Sequence, residues 1–402
     1  MAKITFWFSL AAVFYVYAGY PLLLVIWRAL AGRAVAKAPL QPFVTLILIA
    51  RNERAAIAEK VENCLQQEYP RELVQFIVSL DGPTDGTEAV VADYLDRGVT
   101  LLHCPEHQGK AAAINRALRI ARGEIVVFVD ARQRLEATAL RELVSNFADA
   151  SIGAVSGELI LESAREDGAN GGAAVGLYWR YEKWLRAMES QIHSTLGVSG
   201  ALYAIRRSLS RPLPADTILD DVAMPMRAVL DGKRVIFEPA AKAYDSLPTS
   251  PRLEFARKVR TLAGNFQLLE RMPALLLPWR NPVFIQFLSH KVGRLMVPYC
   301  LIGLLISNLF LREPFYLFTL ALQLTWYLLA VAGGIAARFA VSRELRPSES
   351  VTTRVRRLHE AHRDVAVHIR ADELGRNSEP VSLSSSTRES SQESLGGAAV
   401  GF

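Results

Sequence analysis

Several acids and one lysine in this sequence stand at the ends of apolar runs, and that placement gives them chemical meaning. Asp130 closes the run 125–129, Asp81 closes 74–80, and Arg51-Asn52-Glu53 closes 44–50. Short continuous apolar runs read as parallel strands buried on both faces, and open α/β sheets bind ligands outside the carboxyl ends of such strands. Gly109-Lys110 opens a helical pattern before the fourth strand, where an ammonium beside free backbone N–H groups suits a diphosphate. Asp81 is placed to accept hydrogen bonds from a base or ribose, and Asp130 to hold a divalent cation bridging phosphate oxygens. Each residue alone has an ordinary structural reading, Asp130 as a helix cap for instance. Together at one edge they point to a nucleotide crevice.

Asp220-Asp221 is a second acidic point, just before the helical pattern 222–230. One reading makes Asp220 an N-cap and Asp221 a partner of the helix dipole. The other places an ionised carboxylate against an acceptor hydroxyl as a general base.

These residues need a scaffold, and the pattern supplies one. Strands at 44–50, 74–80, 99–102 and 125–130 alternate with helices near 55–67, 88–97 and 110–122, which predicts an α/β domain with a mostly parallel sheet and right-handed crossovers. Residues 81–87, Asp-Gly-Pro-Thr-Asp-Gly-Thr, form a turn cluster. A strand at 152–161, a Gly-rich polar loop at 163–173, an amphipathic helix at 178–192 and strands at 203–207 and 234–239 complete the domain.

Apolar residues make up 51% of the 402, and the net charge is +6. Three uncharged stretches, 4–27, 295–311 and 314–337, are long enough to cross a bilayer. The first lacks a small-residue cleavage site and reads as an anchor rather than a signal peptide. Arg28, Arg33 and Lys37 follow it, Lys291 and Arg294 precede the second, and Arg338, Arg343 and Arg346 follow the third. Cations of this kind mark the cytoplasmic side, so the expected topology is a multi-pass inner-membrane protein with its N-terminus outside and its central domain and tail cytoplasmic. The basic excess belongs to this anchoring and not to a nucleic-acid partner. Cys64, Cys104 and Cys300 have neither zinc nor disulfide spacing.

Four motifs in order, Ala50-Arg51-Asn52-Glu53, the 81–87 turn, Gly109-Lys110-Ala111-Ala112-Ala113-Ile114-Asn115 and Phe128-Val129-Asp130-Ala131, resemble the family 2 glycosyltransferases of the GT-A fold. With its flanking apolar helices, the chain is similar to the cellulose, hyaluronan and poly-N-acetylglucosamine synthase group. The resemblance implies an inverting transfer from a nucleotide-diphospho-sugar, most commonly UDP-linked, to a lipid- or glycan-linked acceptor at the bilayer. It assigns Asp221 as the base, with Arg51, Asn52, Glu53, Asp81, Lys110, Asp130, Arg132 and Arg260 on the donor side. Asp220 and Gly200 fall on the acceptor side, and Mg²⁺ or Mn²⁺ on Asp130.

Two departures qualify that implication. The family's Asp-x-Asp metal motif reads Asp130-Ala131-Arg132, so a cation replaces the second ligand and Arg132 itself is placed to pair with a diphosphate. Processive members carry Gln-x-x-Arg-Trp where this chain has Arg257-Lys258-Val259-Arg260-Thr261, without the aromatic platform. The expected layout is an anchor at 1–33, the transferase domain at 43–250, interfacial helices at 251–291, two membrane helices at 292–338 and a largely disordered tail at 339–402 with a charged helix near 351–376. A processive polysaccharide synthase and a catalytically weak nucleotide-binding scaffold are the alternative readings.

Overall fold

A computed structural model describes residues 1–162, 171–246 and 251–344. Most of the 163–173 loop and nearly all of the tail lie outside the described residues. The chain forms two units, Met1–Thr325 and Trp326–Phe402. In the first, the helix α1 (Ala2–Ala31) leads to an alternating series: β1 (Val44–Ala50), α2 (Ile57–Leu65), β2 (Val74–Asp81), α3 (Thr87–Ala92), β3 (Val99–Cys104), α4 (Lys110–Ile120) and β4 (Ile125–Asp130). There follow β5 (Arg134–Leu135), α5 (Ala139–Val144), β6 (Ile152–Glu162), α6 (Gly171–Ile192), β7 (Leu202–Arg206), α7 (Asp220–Leu230), β8 (Arg234–Ser246) and α8 (Pro251–Arg271). The helices α9 (Phe284–Leu309) and α10 (Pro314–Glu344) come last, the latter continuing into the second unit.

One sheet of eight strands, ordered β3-β2-β1-β4-β7-β6-β8-β5, runs through the domain. Strands β1 to β4 are parallel, with Leu46 opposite both Phe76 and Val127. The runs of β1, β2 and β4 are nearly continuous and buried because both faces are covered, whereas β3 at the edge is more polar and exposed. Leu46 and Leu48 join the core with Ile57 and Val61, while Ile47 joins the opposite core with Ile114.

Beyond β4 the sheet is mixed. Strand β7 runs antiparallel between β4 and β6, β8 pairs parallel with β6, and β5 is antiparallel to β8. The predicted strand 234–239 continues to Ser246, past a bulge where pairing jumps from Gly157 opposite Glu238 to Glu158 opposite Lys242. Pro239 lies in that bulge, since it has no N–H for the ladder.

Three helices, Ala2–Ala31, Phe284–Leu309 and Pro314–Ile335, are long and apolar enough to cross a membrane. The second begins earlier than expected: residues 284–291 belong to α9 and not to a separate interfacial segment. The polar side chains that suggested otherwise have partners. His290 Nδ1 bonds Glu189 at 2.7 Å, the Tyr20 hydroxyl donates to the same oxygen at 2.7 Å, and Arg294 pairs with Glu182. Glu189 is fully buried, so this network ties α1, α6 and α9 at one point.

Asp81, expected to contact a base or ribose, is engaged by protein groups around the turn that follows β3. It is 3% exposed, and its carboxylate accepts from the backbone N–H of Gln108 (3.0 Å) and Gly109 (2.8 Å) and from Arg116 (3.1 Å), while bonding His107 Nδ1 at 2.7 Å. Its oxygens are committed to fastening the turn that leads into Lys110. Burial raises its pKa, but these hydrogen bonds outweigh burial and hold it below the ordinary value of 3.8. Asp81→Ala removes the acceptor of several part-buried donors and is expected to cost about 2 kcal/mol, seen as a lowered Tm of the solubilised protein. The contribution is complete above the ordinary Asp value and is lost as pH falls through the depressed one. The Tm gap between wild type and Asp81→Asn should therefore narrow on acidification.

Candidate active site

Four charged groups from three elements meet at Gly200. Strand β4 ends on Asp130, α4 begins at Lys110, and the first turn of α7 supplies Asp220 and Asp221. Lys110 Nζ donates to Asp130 Oδ1 at 3.0 Å and stands 3.5 Å from Asp220 Oδ2. A Cβ added at Gly200 would lie 3.6 Å from Asp130 Oδ2, 3.6 Å from Asp221 Oδ2 and 3.7 Å from Lys110 Nζ. Any side chain there would occupy the space the charges share. The N–H of Val198 donates to the Asp221 carbonyl at 2.9 Å, which docks the loop before β7 on the start of α7.

Asp220 is not an N-cap, because α7 starts at Asp220 itself and Leu219 takes the cap position without a side-chain bond. Asp220 is 4% exposed; its Oδ2 receives no hydrogen bond and is paired with the charge of Lys110 at 3.5 Å.

Electrostatics separate the members of the cluster. Burial raises the Asp221 pKa, the Asp220 charge raises it further, and Lys110 and Lys291 oppose them, leaving it at about 6. For Lys110, burial works against the ammonium, but Asp220, Asp130 and Asp221 outweigh it and lift the pKa above the usual lysine range. Lys110 is a fixed cation, whereas Asp221 exchanges its proton near neutrality.

The rim is built from the end of β1. Arg51 is exposed, and Asn52, at φ +52°, accepts from the Thr84 N–H at 2.8 Å. Glu53 accepts from Arg132 Nε through both oxygens, at 2.8 and 3.1 Å. Arg132 is thereby held at the rim with its side chain 70% exposed. The contact made by Arg260 is with the Ile218 carbonyl, at 3.4 Å, alongside Gln267, whose oxygen accepts from the Ile218 N–H at 2.9 Å. These α8 residues brace the segment entering Asp220-Asp221. The sequence pattern missed Gln267, an unremarked polar residue in a helix, and read Lys291 only as a flanking cation.

For a divalent cation, the donor set suits one shared with substrate. Asp130 is partly exposed, and Lys110 engages only its Oδ1, leaving a hard carboxylate oxygen at the crevice. Among the described residues no group of three His, Cys, Asp or Glu is placed to hold a metal unaided. Mg²⁺ bound through one carboxylate, water and phosphate oxygens is a usual arrangement.

Comparison with known proteins agrees with this architecture. Residues 45–211 match the model for glycosyl transferase family 2, a range holding Lys110, Asp130 and Gly200 and stopping short of Asp220-Asp221. The chain is 25% identical over 210 residues to a beta-monoglucosyldiacylglycerol synthase of Nostoc, covering 50% of this chain and 44% of that one. It is 22% identical over 233 residues to a poly-beta-1,6-N-acetyl-D-glucosamine synthase of Staphylococcus aureus, covering 57% and 56%. It thus spans about half the length of these relatives. Among solved structures, a mannosyltransferase of Pyrobaculum calidifontis in complex with GDP-Man and Mn²⁺ superposes with a TM-score of 0.64 at 24% identity, over 82% of this chain and 92% of that one. The mixed sheet, the crevice at its edge and these likenesses agree: the chain carries a family 2 glycosyltransferase domain on the GT-A fold.

Proposed function

We propose that the protein is a membrane-bound inverting glycosyltransferase that moves a sugar from a nucleotide-diphospho-sugar, UDP-linked by default, to the hydroxyl of a lipid- or glycan-linked acceptor. The observation that carries this reading is the convergence of Lys110, Asp130, Asp220 and Asp221 on the space above Gly200. The GDP-Man of the Pyrobaculum mannosyltransferase supports a nucleotide-diphosphate donor.

Lys110 and the first N–H groups of α4 receive the diphosphate. Arg132, anchored to Glu53 through its Nε, offers its terminal amines to the same phosphates. Asp130 would hold a Mg²⁺ or Mn²⁺ ion, whose positive charge would stabilise the departing diphosphate. Asp221 takes the proton of the acceptor hydroxyl as its oxygen bonds to the anomeric carbon and the bond to the diphosphate breaks. A single displacement with one base inverts that centre.

The three apolar helices support a bilayer setting, with the domain cytoplasmic by the flanking cations. Helix α8 adds an exposed stripe, Phe255, Val259, Leu262 and Phe266, at helical spacing, which suits the membrane surface. Thr261 bonds the Arg257 carbonyl and gives no aromatic platform, which favours single transfer over processive synthesis.

The test is nucleoside diphosphate release by protein-containing membranes across UDP- and GDP-sugars, with a bacterial lipid extract as acceptor source. One donor should be turned over, and Asp221→Asn should lower its rate by about 10² or more. Because the base must be ionised, kcat/KM should fall as pH drops below about 6. Nucleotide binding without turnover on any donor would favour the scaffold reading instead. Metal dependence is checked separately: EDTA should suppress turnover, and Asp130→Asn should remove the response to added Mg²⁺ or Mn²⁺.

A further inference from the structure

Helix α8 presents two opposite faces to different surroundings. Gly264, Gln267 and Leu268 share one face, and Phe255, Val259, Leu262 and Phe266 form a stripe about half a turn round from it at the helical period. The inner face is clamped to the segment that enters Asp220-Asp221. Gln267 accepts from the Ile218 N–H at 2.9 Å and donates to the Asp216 carbonyl at 2.9 Å. A Cβ added at Gly264 would lie 2.5 Å from Leu219 Cγ and 3.0 Å from Ile218 Cγ2, so the helix comes this close only because the residue is glycine.

Behind the same segment the protein is not filled. A pocket of about 420 Å³ is bordered by Leu219 and Ala223 at the start of α7 and by Leu268 and Met272 of α8. The Leu219 carbonyl accepts from the Ala223 N–H at 2.9 Å, so a shift of Leu219 carries the first turn of α7 with it, Asp220 and Asp221 included. Packing leaves that turn room to move back, and the clamp from α8 holds it forward.

The outer stripe is exposed. Residues 272–283, which follow α8, lead directly into the apolar α9 and carry Trp279, 77% exposed. A tryptophan beside a membrane-crossing helix suits the headgroup level. The same stretch of chain exposes Arg257, Lys258 and Arg280, which suits anionic headgroups.

We propose that the outer face of α8 lies on an anionic bilayer surface and that this contact positions the base. Seated, α8 holds Gly264 and Gln267 against 216–219 and keeps Asp221 at the crevice; lifted, it releases the turn into the pocket behind. The proposal rests on Asp221 being the base of the transfer reaction, and it makes Gln267 a positioning residue. Transfer is thereby confined to protein whose α8 is seated on the membrane.

The test places the full-length protein in nanodiscs of phosphatidylcholine and phosphatidylglycerol, with a phosphatidylcholine carrying a diazirine in one acyl chain as the contact probe. Photo-adducts should map to 255–266 and be lost in Leu262→Asp/Phe266→Asp. In that variant amide hydrogen exchange at 219–223 should rise about tenfold and kcat should fall about tenfold, while donor KM and UDP binding stay as in wild type. Gln267→Met should give the same rise and the same fall with 255–266 still labelled. In an Asp221→Asn background neither change should lower the residual rate further, because both act through that carboxylate. Val259→Asp repeats the measurement should the double variant fail to bind UDP. Lost labelling with exchange and kcat unchanged would overturn the proposal. So would a stripe that lipid never labels; if its substitution also separates a dimer, a second copy covers it. Labelling and exchange need no turnover. Their expected changes in a protein that transfers no sugar, or beside full turnover by Asp221→Asn, would count against the base reading and leave the contact of α8 with the bilayer standing.

Discussion

One ammonium held among three carboxylates is the constraint on which the rest of the structure depends. Lys110 is costly to bury alone and is stabilised only because Asp130, Asp220 and Asp221 surround it. These groups come from positions far apart in sequence, so the charge balance exists only when β4, α4 and α7 are all in place. The acids outnumber the cation, which leaves Asp221 holding its proton more tightly than a surface aspartate would. In the proposed reaction, an arriving diphosphate would meet a cation already fixed and need little rearrangement to pair with it.

Around that centre, residues with the look of ligands hold the loops. Asp81 binds the turn before Lys110, Asn52 binds the turn after β2, and Gln267 with Arg260 braces the approach to Asp220. The distinction is one of exposure and commitment: a carboxylate already receiving several donors has nothing left for substrate, whereas Asp130 keeps one oxygen at the crevice.

That distinction also sets what could be read from the residues alone. The mostly apolar runs of β1, β2 and β4 announced strands covered on both faces, and their terminal acids announced the edge, because burial and strand direction act locally in sequence. The local partners of Asp81 were hidden because Gln108 and Arg116 lie some thirty residues away and only the fold brings them to it. The continuation of β8 past Pro239 was hidden for a similar reason, since a bulge is visible only against its partner strand. The early start of α9 was masked by Ser289, His290 and Lys291, which resemble interfacial residues until Glu189 and Tyr15 are seen to satisfy two of them.

The hydrogen bond between Tyr15 and Ser289 closes a loop of 274 residues. The ribosome makes α1 before α9, so this helix must wait while the whole catalytic domain is synthesised before its mate emerges. During that interval its polar groups at Tyr15 and Tyr20 lack the partners they have in the finished protein. Completion of α9 then joins it to the first helix and, through Glu189, fastens both to α6. Assembly order is thus written into which residues bond across a long stretch of chain.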